Sequence, residues 1–460
     1  MNSIWRVLCT VGYILSYPFA RLYYLRYRFI PNFKNQLLKE MAPSDPEGFT
    51  NKPYYHPSEK ILFYLKSTGP FTLKIEKIYA PGSFSEIKII SFNSILQHTN
   101  PDPAINGTGW KESHTIDASE FSQGYYRAVL NGESGSESFI TFLVGSSNIT
   151  ADVVVIAPVT TWVAYNLYGG RSAYKNIVDS RNIHKLSTQR PNTSLQYKPS
   201  GENIQDVNVE ANIFNWYHNN YNTVLLPDTA LENASAILDS AKIIVLSYHC
   251  EYFSPPMYRR LKKLVFKKQK SLLNLGGNQI YWKALYNKEK TLLEIRKDHS
   301  WFTGRFQEGG LWRQTLNPEY LLFGVHFTEA GAGTYAPYRV LNRDHWLFKG
   351  VNVQNGDLFG QSGIDDLPIC GDETDKTPSF VSMDTEIIAK GINCKDEGQF
   401  IRYPNTNYNW DSSGGGDLAL KTISHNHAVL STGAVQSGSG LGMDIVFTQI
   451  IKNFTDRYLH

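Results

Sequence analysis

At residue 153 the hydrophobic pattern of this chain changes period, and no other feature limits the available folds as much. Before it, from about Asn51 to Val144, apolar and polar residues alternate in short runs: "KILFYLKS", "FTLKIEKIYA", "SEIKIISFN", "GYYRAVLN" and "SFITFLVG", with Gly, Pro, Asn and Ser between them. A period of two puts every second side chain on one face of a strand, so this region predicts a β-sandwich of about 100 residues. After it, "VVVIAP" (153–158) is apolar throughout, the pattern of a parallel strand covered on both faces.

The second pattern repeats. "EANIFNWYHNNY" has helical spacing, "TVLLP" is a short strand, "ASAILDSA" a helix and "KIIVLS" a strand, which together predict the βα alternation of a doubly wound sheet. Ser254 followed by Pro255 predicts a helix start, with Met257, Leu261, Leu264 and Val265 as its buried stripe and the lysines and arginines between them as a solvated face. "SLLNL" supplies another strand, closed by "GGN" at 276–278. The remainder, with "SSGGGD" and "GSGLGMD", reads as sheet edges and loops of the same domain. At 460 residues more than one core is expected: an extension over 1–48, a sandwich over 49–148 and an α/β domain over 149–460.

Charge narrows the function classes. Lys+Arg 45 against Asp+Glu 42 leaves a net charge of +3, which excludes a nucleic-acid binder relying on a basic face. Cys9, Cys250, Cys370 and Cys394 form no C-x-x-C pair, so neither a zinc site nor a disulfide framework is indicated, and a reducing, cytoplasmic compartment is the simpler reading. Between Arg6 and Arg21, "VLCTVGYILSYPFA" is too short and interrupted to span a bilayer. It reads as a packed helix, a signal-peptide core or an interfacial anchor giving peripheral membrane contact through residues 5–30.

Three segments occupy equivalent places. "TTWVAYNLYGGRSAY", "YHCEYFS" and "GGNQIYW" each follow a predicted parallel strand, so all three should hang over the carboxyl edge of one sheet, where ligands bind. Tyr165, His249, Glu251 and Asn278 can converge there. Singly, each has a structural explanation: Tyr165 and Tyr174 as core residues, His249 as a loop-orienting group, Asn278 in a left-handed turn. Glu251 is different, because a carboxylate at a strand end needs a cation or donors, and Arg171 or a metal ion could serve. Cys250 could be a thiolate nucleophile, although no glycine flanks it to permit the strained elbow turn of that class. The acidic loop "GIDDLPICGDETDK", with Asp365, Asp366, Asp372, Glu373 and Asp375, reads alone as a solvated turn. His425 and His427 share a face if "TISHNHAVLS" is a strand, but have no third ligand in sequence.

Taken in order, "TWVAYNLYGGRSAY", "HCEYFS", "GGNQIYW", "LFGVHF", "YRVLNRDHWLFKG" and "GDETD" resemble the large (β) subunit family of N,N-dimethylformamidase, from about residue 50 to the C-terminus. The resemblance implies an immunoglobulin-like β-sandwich followed by a class I glutamine amidotransferase-like doubly wound α/β domain, without that class's cysteine triad. It also implies amide hydrolysis at a mononuclear iron(III) held by two tyrosines and one glutamate. By motif, Tyr165 of T-W-x-A-Y-N and Glu251 of H-x-E-Y resemble two of these ligands, and Tyr174 ranks ahead of Tyr168 and Tyr252 for the third. His249 and Asn278 would orient substrate or stabilise the oxyanion, and Glu373 of G-x-E-x-D would be the general base. The expectation is an iron-dependent amidohydrolase acting on a small linear amide, with a homo-oligomer left open. A Cys250-dependent hydrolase and a non-catalytic ligand-binding protein on the same fold are the competing readings.

Overall fold

The computed structural model describes residues 45–459 except 81, 180, 196–205, 328–332, 379–383 and 394–414. The N-terminal anchor or helix reading, Cys9, Cys394 and the first half of "SSGGGD" lie outside the described residues. Among the described residues the chain is mixed α/β, with strands dominating.

The first strands are β1 (Glu47–Thr50), β2 (Tyr54–Tyr55), β3 (Lys60–Lys66), β4 (Phe71–Ala80), β5 (Ser83–Phe92), β6 (His114–Asp117), β7 (Gly124–Gly132) and β8 (Glu137–Val144). They form a three-stranded sheet, β1-β3-β6, and a five-stranded sheet, β2-β8-β7-β4-β5. Alternation makes the packing: Ile61, Phe63 and Leu65 of β3 point inward against Leu73 and Ile75 of β4 and Phe142 of β8, all fully buried in one core.

The second region continues with β9 (Val153–Ala157), α1 (Val159–Tyr165), β10 (Lys185–Ser187), α2 (Val207–Asn220), β11 (Thr223–Pro227), α3 (Ala236–Ser240) and β12 (Ile243–Tyr248). It goes on through β13 (Tyr252–Phe253), α4 (Pro255–Phe266), β14 (Ser271–Gly276), β15 (Trp282–Tyr286) and β16 (Leu292–Ile295). Strands β11, β9, β12 and β14 are parallel neighbours in that order. Their residues are buried on both faces, as an uninterrupted apolar run requires: Val153 and Val155 face α2, while Val154 and Ile156 face α3 and α4. Helix α4 starts where the sequence predicts, with the Ser254 hydroxyl accepting from the Met257 amide and Pro255 at the first turn.

The C-terminal third is more than the edges and loops expected of it. After β17 (His326–Phe327), β18 (Thr334–Ala336), β19 (Tyr338–Val340), β20 (Leu358–Phe359), β21 (Cys370–Asp372), β22 (Asp375–Lys376), β23 (Thr385–Gly391) and β24 (Asp417–Ser424), strand β25 (His427–Ser431) inserts parallel to β14 in the middle of the main sheet. The nine-stranded order is β11-β9-β12-β14-β25-β24-β23-β19-β20, antiparallel beyond β25. Helix α5 (Ile445–Leu459) then covers the α2 side through Phe447, Ile450, Ile451 and Phe454. The sandwich and the main sheet share this core, because Ile78, Tyr125 and Leu143 pack into it. Gln123 of the sandwich also satisfies the edge strand β11, donating to the Thr223 carbonyl (3.1 Å) and accepting from the Leu225 amide (2.9 Å). No helix among the described residues is long and apolar enough to cross a membrane.

Candidate active site

Three loops leave the carboxyl ends of β9, β12 and β14 side by side. The first is rigid from its start: helix α1 begins one residue after Pro158 and buries every residue before Tyr165. The carboxylate of buried Asp228, just beyond β11, accepts from the Thr160 amide and hydroxyl, both at 2.9 Å. The second loop is stitched to its neighbours. The Glu251 amide donates to the Thr161 hydroxyl (3.1 Å), the Cys250 amide to the Gln279 side-chain oxygen (2.7 Å), and the Glu251 carbonyl accepts from the Tyr281 and Trp282 amides (2.8 and 3.0 Å).

Backbone strain collects here. Tyr248, Asn278 and Ile280 have φ of 55°, 48° and 54°, a region unfavourable for bulky and especially β-branched residues. Such conformations persist where surrounding contacts over-determine them, and they concentrate at functional sites. Gly277 is required for a related reason: a Cβ there would lie 2.7 Å from the Val435 nitrogen and 2.8 Å from the Glu373 carbonyl oxygen. Its absence lets the third loop lie against the bend between β21 and β22 that carries Glu373.

At the centre, the oxygens of three side chains meet. The Tyr165 hydroxyl donates to Glu251 Oε2 at 2.8 Å and lies 3.2 Å from the Tyr174 hydroxyl, which donates to Glu251 Oε1. Glu251 is fully buried. His249 Nε2 stands 3.7 Å from Glu251 Oε2 and 3.3 Å from Glu373 Oε2, and the Asn278 side-chain amide donates to the same Glu373 oxygen at 2.7 Å. A carboxylate oxygen only accepts, so the Asn278 side chain has its NH2 towards Glu373. Its backbone amide donates to Asp375 at 2.9 Å, which holds the residue from the other end.

The electrostatics follow from burial. Burial, with the charge of Glu251 next, pushes both Tyr165 and Tyr174 well above the ordinary phenol value; Tyr174 is 48% exposed, so this acts on its hydroxyl end against Glu251. Glu251 itself is raised by burial, offset by His249 and Lys297. Burial would lower His249, but its bond to Glu373 and the charges of Glu373 and Glu251 outweigh it and hold the imidazole up at about 9. The imidazole thus lies between two carboxyl groups that both favour its protonated form.

The metal capacity can be read from the donors. Among the described residues no group of three or more His, Cys, Asp or Glu could hold an ion, so a metal here would depend on phenolic oxygens. Tyr165, Tyr174 and Glu251 fit that demand. Their oxygens at 2.8 and 3.2 Å are spaced like adjacent donors around a small cation with bonds of about 2.0–2.2 Å. Hard oxygen donors of this kind suit a hard ion, and binding one would displace the two phenolic protons that the carboxylate now shares.

Other expectations fall differently. Arg171 is not the partner of Glu251: it is buried against Asp102 and Asp179. Cys250 is fully buried, its Sγ directed to the Ser247 carbonyl at 3.6 Å, and burial pushes the thiol well up, away from thiolate character. The acidic loop is not one solvated turn. Asp366 is exposed, whereas Asp375 is buried and raised to about 7 by that burial, and Glu373 joins the centre. His425 sits in the exposed turn after β24 while His427 is buried in β25, so the two share no strand face. Tyr252 packs edge-on to the Tyr165 and Tyr174 rings, and the Tyr168 hydroxyl is directed to Glu47.

Lys297 was not anticipated. Its amine lies 3.2 Å from the Tyr174 ring centroid, 4.7 Å from Trp282 and 5.4 Å from Tyr252, and burial lowers it to about 7, partly offset by Glu251 and Glu373. Such a lysine can exchange a proton at neutral pH. A lysine within "EIRKDHS" carries no sequence signal that would separate it from its charged neighbours.

Asp228 makes the first testable consequence. Burial raises it from an ordinary 3.8 to about 7, so the folded protein holds this proton more tightly than the unfolded chain. Its favourable contribution is complete below pH 3.8 and is lost as pH rises through 7, by roughly 4 kcal/mol at most. In urea titrations from pH 4 to 8, the stability advantage of wild type over Asp228→Asn should therefore shrink with rising pH. A difference independent of pH would contradict this account.

Comparison with known proteins adds the following. One protein family matches, described as N,N-dimethylformamidase beta subunit-like, C-terminal, over residues 91–451, from the end of β5 into α5. No curated protein matches the sequence. Among solved structures, the Pseudomonas fluorescens alkylpurine DNA glycosylase AlkC bound to DNA containing an abasic site analog is 11% identical over 24% of this chain and 33% of that one, with a TM-score of 0.14. A Paenibacillus sp. cycloisomaltooligosaccharide glucanotransferase complexed with cycloisomaltoheptaose is 15% identical over 25% of this chain and 16% of that one, also with a TM-score of 0.14. The chain thus spans a third or less of either structure, and overlap this slight carries no argument about fold or activity.

Proposed function

Since this chain belongs to the N,N-dimethylformamidase beta subunit-like family, we propose that it is an iron-dependent amidohydrolase cleaving the C–N bond of a small linear amide. One observation carries the reading: the oxygens of Tyr165, Tyr174 and Glu251, from two different loops, meet at one point beyond the carboxyl edge of the sheet. A ferric ion held there would supply Lewis acidity, polarising an amide carbonyl and acidifying water.

The chain's own residues do the rest. Glu373, with side-chain exposure of 21%, is partly open to solvent and steadied by Asn278, which suits a base taking a proton from water. His249, kept protonated by its two carboxylate neighbours, is a donor for the charge that develops on the amide oxygen. Lys297, at about 7, can return a proton to the departing amine. The finer architecture, an immunoglobulin-like sandwich followed by an amidotransferase-like domain, belongs to the same proposal and is supported by the two-sheet core and the parallel order β11-β9-β12-β14-β25.

The test is elemental and optical. Purified protein is expected to hold about one iron per chain, to absorb in the visible through tyrosinate-to-iron charge transfer, and to lose both colour and amine release on chelation. Colourless, metal-free protein that hydrolyses amides at full rate would overturn the metal; coloured protein that hydrolyses none of a panel of formamides and acetamides would overturn the reaction.

A further inference from the structure

The loop between α1 and β10 carries Tyr174, a residue 48% exposed overall, so its place depends on how the loop backbone is held as well as on the contacts of its ring. Two fully enclosed guanidinium groups hold this loop. Arg171, 2% exposed, donates through Nε to Asp102 Oδ1 (3.0 Å) and through Nη1 and Nη2 to the two oxygens of Asp179 (3.0 and 2.9 Å). Arg190, 1% exposed, donates to the carbonyls of Ser187 (2.9 Å), Arg171 (3.2 Å), Asn166 (3.1 Å) and Tyr168.

Asp102 belongs to neither arginine's loop. It lies in the connection between β5 and β6 of the sandwich, in a left-handed turn at φ 50° before a helical turn at 103–106. The same connection touches the loop again at Gly169, φ 77°, which comes so close that a Cβ would sit 2.8 Å from the Ala104 nitrogen, and it also reaches the segment after β10, where the Thr108 amide donates to the Gln189 carbonyl at 2.9 Å. From Arg171 the chain reaches Tyr174 in three residues, through a turn in which the Ser172 hydroxyl accepts from the Tyr174 and Lys175 amides (3.2 and 3.0 Å).

We infer that the sandwich takes part in the site: Asp102, through Arg171, is a positioning residue for the loop that presents Tyr174. A guanidinium out of water keeps its place only while its carboxylates do, so neutralising Asp102 releases one side of the clamp. The identity of Tyr174 as a ligand rests on the proposed function; the clamp itself does not.

The experiment compares Asp102→Asn with Glu76→Gln, which breaks the Arg127–Glu76 pair inside the sandwich (2.7 Å) and leaves the loop alone. Amide exchange followed by mass spectrometry should accelerate about ten-fold or more across 166–181 in Asp102→Asn, the scale of losing one charge-assisted hydrogen bond, and stay at the wild-type rate across 124–144. Glu76→Gln should leave 166–181 unchanged. In iron-loaded protein, Asp102→Asn should shift the tyrosinate band and lower kcat with KM held, and Asp102→Glu, which keeps the charge, should fall between it and wild type. Unchanged exchange across 166–181 in both Asp102 variants, or equal acceleration in Glu76→Gln, overturns the inference. The exchange measurement needs neither iron nor substrate, so failure of the amidohydrolase reading, seen as iron-free or inactive wild type, remains a separate result.

Discussion

Replacing Glu251 by glutamine is expected to remove bound iron and to lower amide hydrolysis by at least about 10³-fold, with the fold retained. The substitution keeps shape and volume but exchanges an anion for a side chain with one acceptor oxygen, where two phenols now donate to two carboxylate oxygens. Without that anion the phenols have nothing to share a cation with, and burial already holds both well above the ordinary phenol value. Cys250→Ala is the companion measurement. Its thiol faces the Ser247 carbonyl in the interior, so activity should stay within about three-fold of wild type, at a stability cost of about 1 kcal/mol. Loss of turnover in Cys250→Ala with turnover kept in Glu251→Gln would return the protein to thiol chemistry.

Glu373→Gln should behave otherwise: about 10²- to 10⁴-fold lower kcat with iron content and visible spectrum unchanged, since Glu373 touches His249 and Asn278 and none of the three central side chains. The same change should expose a new pH dependence. The bond to Glu373 is the largest influence raising His249, so its loss lets the imidazole fall from about 9 under the pull of burial. Residual turnover that needs the imidazolium should then fall more steeply as pH rises through neutrality than it does in wild type, where Lys297 loses its proton in that range. A variant that loses iron together with activity would show that Glu373 supports the centre and is not its base.

Much of this arrangement is legible before folding. The run of β9 and the N-cap of α4 are written in neighbours within a few residues, because side-chain period and the first-turn hydrogen bond are local quantities. The equivalence of the loops after β9, β12 and β14 follows from the same local reading, and it already gathers Tyr165, His249, Glu251 and Asn278 at one edge. The C-terminal third is harder. "HAVLS" is short and apolar, and nothing within it says that it enters the sheet beside β14, a pairing about 157 residues away in sequence by its side-chain contacts. Helix α5 has helical spacing in "IVFTQIIKNFTDRYL", a signal obscured by the glycine-rich turns just before it.

By itself, then, the sequence determined the two regions, the order of the parallel strands' elements and the edge where chemistry could gather. Only the tertiary structure decided the partners: Tyr174 against Glu251 across 77 residues, Tyr165 across 86, Asn278 to Glu373 across 95, Arg171 turned away to Asp102, and Lys297 brought in over Tyr174. Periodicity reports the face on which a residue lies, whereas which charges are buried side by side depends on long-range packing, and it is that burial and proximity that move their proton affinities.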